Sequence, residues 1–222
     1  MDIKTFIEKR KIDCLIHFTT TTNLLGIFEL GELTSRSRLD DLRSIQGGDY
    51  FGDYIVPTDN IRADGLSNYI NLSVSHTNWY LLNQFKKRQS DDWIEWCVLQ
   101  ICPTILEEKD VLFSVCNASS TAAKKFGITG GLSGLERLYC DQVNYKGREL
   151  NRIGLESKFP TDVQAEVLIK DTIPLEKVIG ICFENNEALD LTKASLSVTG
   201  LINDEDDLSE LFRVNAGLFA HR

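Results

Sequence analysis

Three places in this chain put a chemically able side chain where an apolar run starts or stops. Glu166 heads the run "VLIK", where the chain enters the core. A carboxylate there either faces solvent at a strand edge or serves a substrate as acid, base or charge partner. Spacing alone leaves both uses open. His17 ends the run "CLIHF" and opens onto the hydroxyl-rich "TTTTN". A histidine so placed is either a satisfied structural group or a hydrogen-bonding partner for a ligand. Lys86, Lys87 and Arg88 close a stretch that begins with Trp79 and Tyr80. Cations beside aromatic rings suit a single nucleic-acid strand. At helical spacing, Trp79 and Phe85 suit a core equally well.

Other chemistries are excluded or disfavoured. The six cysteines form no CxxC pair and three histidines accompany them, so no zinc pattern is present. Their apolar settings, "WCVLQIC" and "GICF", point to reduced cysteines used as small hydrophobes. No GxSxG motif occurs. The Gly-rich "GITGGLSG" matches neither phosphate-binding order and reads as a flexible loop. With 24 basic and 33 acidic residues the net charge is −9, which argues against coating nucleic acid non-specifically and leaves room for a local basic groove. No run of roughly 18 apolar residues exists, and the start lacks a signal-peptide pattern. The expectation is a cytoplasmic protein with no membrane partner.

The elements that must position these groups follow from periodicity. Residues 1–12 read as a short amphipathic helix, and Cys14 to Phe18 as a strand. Thr22 is expected to cap a helix with Leu24, Leu25, Ile27 and Phe28 inward, closed by Gly31. Residues 34–66, rich in Gly, Asp, Ser and Arg, read as a long excursion. Tyr69 to Ser75 alternates as a strand. A helix follows with Trp79, Leu82 and Phe85 inward, then the strand "WIEWCVLQI". Val167–Ile169 and Val178–Ile181 read as neighbouring core strands. Strands interleave with helices without βαβα regularity, so the fold class is α+β, in one domain spanning 1–222.

Taken in order, "LIHFTTTTNLLGIFELGEL", "RADGLSNYINLSVSHTNWYLL" and "DVQAEVLIKDTIPLEKVIGI" resemble three motifs of the DarT-type ADP-ribosyltransferases. The resemblance runs from residue 14 to about 184. It implies the mono-ADP-ribosyltransferase fold, a split β-sheet core with flanking helices and an NAD⁺ cleft between its halves. It also implies a toxin that cleaves NAD⁺ and transfers ADP-ribose to a base in single-stranded DNA, with no metal and with a cognate antitoxin that removes the modification. The features "NLSVS" and "CNAS" favour the guanine-targeting branch over thymine.

By the same resemblance Glu166 is the catalytic carboxylate. His17 and Thr19 bond the adenosine-side ribose, and Asn23 contacts NAD⁺ at a helix start. An arginine is expected to hold phosphate or orient the reacting ribose; Arg62 in "NIRADG" is first choice, with Arg36 and Arg38 as competitors. Lys86, Lys87 and Arg88 are the candidate DNA contacts. The alternatives are an RNA or protein acceptor, or a module that kept the fold without the chemistry.

Overall fold

The computed structural model describes residues 1–46, 63–88, 94–203, 208 and 210–221. Helix α1 (Ile3–Arg10) is capped by the Asp2 carboxylate and buries Phe6 and Ile7. Strand β1 (Leu15–Thr20) leads directly into α2 (Thr21–Leu30), and β2 (Glu32–Thr34) into α3 (Arg36–Gln46). The cap of α2 is Thr20, not Thr22: its Oγ1 accepts from the Asn23 amide at 3.3 Å. The last strand residue is thus also the helix cap, and no loop separates them. Gly31 closes α2 in the left-handed conformation, as expected.

The excursion at 34–66 is shorter than expected. Helix α3 occupies 36–46, with Leu39 3% exposed among charged neighbours. One buried apolar position among the described side chains of a helix of about three turns is too thin a stripe to announce it in sequence. Residues 47–62, Arg62 among them, lie outside the described residues.

The chain continues through β3 (Tyr69–Val74), α4 (Trp79–Arg88), β4 (Trp96–Ile101), α5 (Ile105–Glu108) and β5 (Val111–Ser114). Then come α6 (Thr121–Phe126), β6 (Thr129–Gly130) and α7 (Gly131–Arg137). The Gly-rich stretch is therefore an edge strand and a helix rather than a flexible loop. Its glycines permit close packing: a Cβ on Gly134 would collide with the Thr129 carbonyl and the Phe113 ring. The remaining elements are the hairpin β7 (Gln142–Tyr145) and β8 (Arg148–Asn151), β9 (Glu166–Lys170), β10 (Thr172–Pro174), β11 (Val178–Phe183), α8 (Asn186–Val198) and β12 (Phe212–Val214).

Eight strands form the main sheet in the order β12-β11-β4-β1-β3-β9-β5-β6. Among the described strands only β11 and β12 pair in parallel. Strands β9 and β11 are not neighbours, against the reading of the sequence. Between them β10 leaves the main sheet to pair with β2, carrying the chain round to the far half. Two equally apolar runs reveal burial but not pairing.

The sheet is split at its middle. Strand β1 pairs with β4 along all six residues, Leu15 to Thr20. With β3 it pairs only at Leu15–Val74 and Ile16–Ser73. Beyond that point β1 runs on through His17 to Thr20 while β3 turns to β9, which it matches from Tyr69 to Leu72. The opening between the strands is the site. Its flanks are held by a large core under α1, α2, α7 and α8, and by a smaller one under α4 built on Ile16, Leu82, Phe85, Trp96 and Val98.

Candidate active site

Strand β1 and helix α2 build one wall. Their junction fixes three of the expected residues at once. The Thr20 cap orients the first turn, and the Asn23 side chain donates to Thr19 Oγ1 at 3.0 Å. Thr19 and Asn23 are buried, yet both line the cleft. His17, two residues earlier on the same strand, lines it too. Its Nδ1 lies 3.0 Å from the Asn71 carbonyl across the split. A carbonyl only accepts, so Nδ1 carries the hydrogen and the ring is held by the opposite wall.

The second wall carries Glu166. It is the first residue of β9, paired with Ser114 of β5, and it is 4% exposed. That number removes the solvent-facing alternative. Burying a carboxylate demands donors, and two are in place. Asn71 Nδ2 donates to Oε2 at 3.1 Å, and the Ala118 amide donates to the same oxygen at 3.0 Å. Asn71 faces Leu168 across the ladder, so it sits diagonal to Glu166 on one sheet face. Ala118 lies in the turn after β5, which Asn117 stabilises by accepting from the Ser119 amide at 3.0 Å.

The rest of the cleft is mixed. Phe18, Leu81 and Phe85 supply an apolar surface, and Asn78, Asn117, Ser119, Ser35 and Arg36 supply polar edges. Arg36 opens α3 on the cleft wall, whereas Arg38 is turned outward to Glu32 at 3.3 Å. Cys116, beside the Glu166 turn, is no nucleophile. Burial pushes its thiol up, the Ser120 hydrogen bond opposes this, and the Asp162 and Glu166 carboxylates push it further up. Burial likewise raises Cys14, to about 12. All six cysteines are free. Among the described residues no cluster of three or more His, Cys, Asp or Glu side chains is placed to hold a metal ion.

The structure therefore brings Glu166, His17, Thr19 and Asn23 around one cleft. It does not bring Lys86, Lys87 and Arg88 to it: they end α4, while the cleft takes Leu81 and Phe85 from that helix. Lys86 is paired with Glu184, and the Arg88 guanidinium packs 5.8 Å from the Phe85 ring centroid. Trp79 is half-buried rather than inward, packed on Tyr80 and His221.

Two participants were not singled out as site residues from sequence: Asn71, which touches both His17 and Glu166, and the Ala118 amide. Asn71 carried a signal, being a polar residue on a strand whose Ile70 and Leu72 are buried. A backbone donor carries none.

A family model described as "ssDNA thymidine ADP-ribosyltransferase, DarT" matches residues 16–209. No curated protein matches the chain. Among solved structures, Thermus sp. 2.9 DarT in complex with NAD⁺ superposes with a TM-score of 0.60 at 14% identity, covering 93% of this chain and 96% of that one. The same protein in complex with ADP-ribosylated ssDNA gives 0.55 at 12%, covering 95% and 97%. Thermosipho africanus DarTG in complex with ADP-ribose gives 0.51 at 16%, covering 93% of this chain but 51% of that one. The likenesses establish the shared fold, and the family match over most of the length establishes that this chain belongs to the DarT family of single-stranded-DNA ADP-ribosyltransferases.

Proposed function

We propose that the chain, as one domain, is a cytoplasmic toxin that cleaves NAD⁺ and transfers its ADP-ribose to guanine in single-stranded DNA, blocking replication. The observation that carries the chemistry is the buried Glu166, held by Asn71 and Ala118 in a cleft whose opposite wall is His17, Thr19 and Asn23. Cleavage breaks the bond between C1′ of the ribose and the nicotinamide nitrogen, and nicotinamide leaves with the electron pair. Positive charge builds on the ribose, as in glycoside cleavage. A fixed carboxylate stabilises that charge. The base nitrogen then bonds to C1′, and Glu166 takes its proton.

His17, its ring held by the Asn71 carbonyl, is the proposed contact to a ribose hydroxyl, and Thr19 and Asn23 complete that end. Arg62 is the proposed phosphate or ribose arginine, with Arg36 on the cleft wall as its rival. Lys87 and Arg88, with Lys86 if it leaves Glu184, are proposed phosphate contacts for the strand. The guanine preference rests on "NLSVS" and "CNAS", against a family description that names thymidine. A cognate antitoxin that removes ADP-ribose is the expected partner. No helix among the described residues is long and apolar enough to cross a membrane.

The test mixes the purified chain with NAD⁺ and single-stranded oligonucleotides, each set lacking one base, and reads mass. A gain of one ADP-ribose that requires guanine and vanishes in Glu166→Ala is the expected result. A gain that requires thymine reverses the base assignment. Nicotinamide release with no modified oligonucleotide moves the acceptor to RNA or protein. No nicotinamide release refutes the enzyme reading.

A further inference from the structure

Helix α4 has two different faces. Leu81 and Phe85 look into the cleft. Roughly a third of a turn round the helix from these, Tyr80, Gln84 and Lys87 are exposed, stacked at i, i+4 and i+7. Tyr80 is 37% exposed, an unusual position for a large ring among the described residues. Its ring centroid lies 5.1 Å from that of Trp79, and the Arg148 guanidinium stands 5.9 Å from it.

That guanidinium is delivered by a rigid device. The hairpin turn between β7 and β8 has Lys146 at φ 49 and Gly147 at φ 72, the pair of positive angles that a two-residue type I′ turn requires. Tyr145, directly across the turn from Arg148, donates its hydroxyl to Asp162 at 2.5 Å. Asp162 is 1% exposed and turns the chain into β9 by accepting from the Gln164 amide at 2.9 Å. The hairpin is thus rooted in the segment that leads to Glu166, and its tip reaches α4 beside the cleft.

A ring, an amide and a cation in line, with a guanidinium beside the ring, match the alternation of bases and phosphates in a single strand. Tyr80 and Lys87 are about 10 Å apart along the axis, the reach of a short stretch of such a strand. On a chain of net charge −9, two outward cations flanking an exposed aromatic form a local exception. We infer that this outward face of α4, with Arg148, holds the acceptor strand next to the base being modified. A flanking base stacks on Tyr80, and Arg148 and Lys87 hold phosphates. The inference rests on the single-stranded-DNA reading above and adds to it the surface that carries the strand.

The experiment measures binding of a fluorescein-labelled single-stranded oligonucleotide to Glu166→Gln protein by anisotropy, with NAD⁺ affinity measured in parallel. Tyr80→Ala is expected to weaken DNA binding about 5- to 100-fold, and Tyr80→Phe to keep it. Lys87→Ala is expected to flatten the salt dependence by about 0.7 in the log–log slope. NAD⁺ affinity stays unchanged in all three. DNA binding unaffected by Tyr80→Ala, or NAD⁺ and DNA binding lost together, overturns the inference. If wild-type protein modifies single-stranded DNA and KM for the oligonucleotide does not move in Tyr80→Ala or Arg148→Ala, this surface fails while the acceptor reading stands. If wild-type protein neither binds nor modifies single-stranded DNA, both fall.

Discussion

The two walls of the cleft are made in opposite ways. The His17 wall is one continuous piece of chain: strand, cap and helix follow each other from Leu15 to Leu30 without a loop. The Glu166 wall is assembled from three distant segments. Its hydrogen bonds join residues 95 and 48 positions apart in the chain. The first wall is contiguous in sequence. The second exists only when β3, β5 and β9 are in register, so small packing changes there reach the Glu166 carboxylate.

That difference predicts where substitutions act. The largest effect belongs to Glu166→Gln: transfer falls by about 10²- to 10³-fold or more, with KM for NAD⁺ little changed. A full-rate Gln variant would remove the carboxylate from the chemistry. Next is Asn71→Ala. It strips one donor from a buried carboxylate, which costs about 1–3 kcal/mol, and should lower both kcat and thermal stability. Loss of stability with kcat intact would make Asn71 a purely structural residue. His17→Ala acts on the other wall. Steady-state kinetics should show KM for NAD⁺ rising roughly tenfold, the equivalent of about 1.4 kcal/mol, with a smaller change in kcat. The reverse pattern would mean that the two walls do not divide binding from chemistry.

The local wall should also tolerate the loss of its cap. Thr20→Ala costs about 1 kcal/mol, read as a fall in Tm of about 2–4 °C for a chain of this size. A far larger fall would show that the junction, not the sheet, holds that wall. The smallest effect is a pH dependence away from both walls. Partial desolvation raises the Asp13 carboxyl, but its hydrogen bonding to Lys158 and the charge of that ammonium help hold the group below 3.8. A depressed carboxyl gives stability that is present above its unfolded value and lost as pH falls through the folded one. Wild type and Lys158→Ala should therefore differ slightly in Tm at neutral pH and converge below about pH 3.8.

The same division decides what was legible in the sequence. Strand β1, helix α2 and its Gly31 stop were readable because cap, apolar period and glycine lie within one short window; only the cap residue was misplaced, by one threonine pair. Glu166 was visible at a strand start, but its burial was not, since burial depends on Asn71 and the Ala118 amide. The pairing of β9 and β11 was misread because two valine- and isoleucine-rich runs look alike whichever neighbours they have. Helix α3 was hidden by its charges, and the Gly-rich stretch looked loose because its glycines serve close packing instead of motion. The site residues carried over from the family resemblance lie on the cleft where the chain is described; the basic triplet at the end of α4 does not.

Asn71 meets the two walls through different parts of itself: its carbonyl holds His17 and its amide side chain holds Glu166. No substitution at position 71 deletes a carbonyl. Sequence change at this point can retune the surroundings of Glu166, yet it leaves the His17 ring held. A library varied at this position would therefore sample changes around Glu166 with the His17 ring still held, which makes it the natural place to begin engineering the enzyme's rate or acceptor.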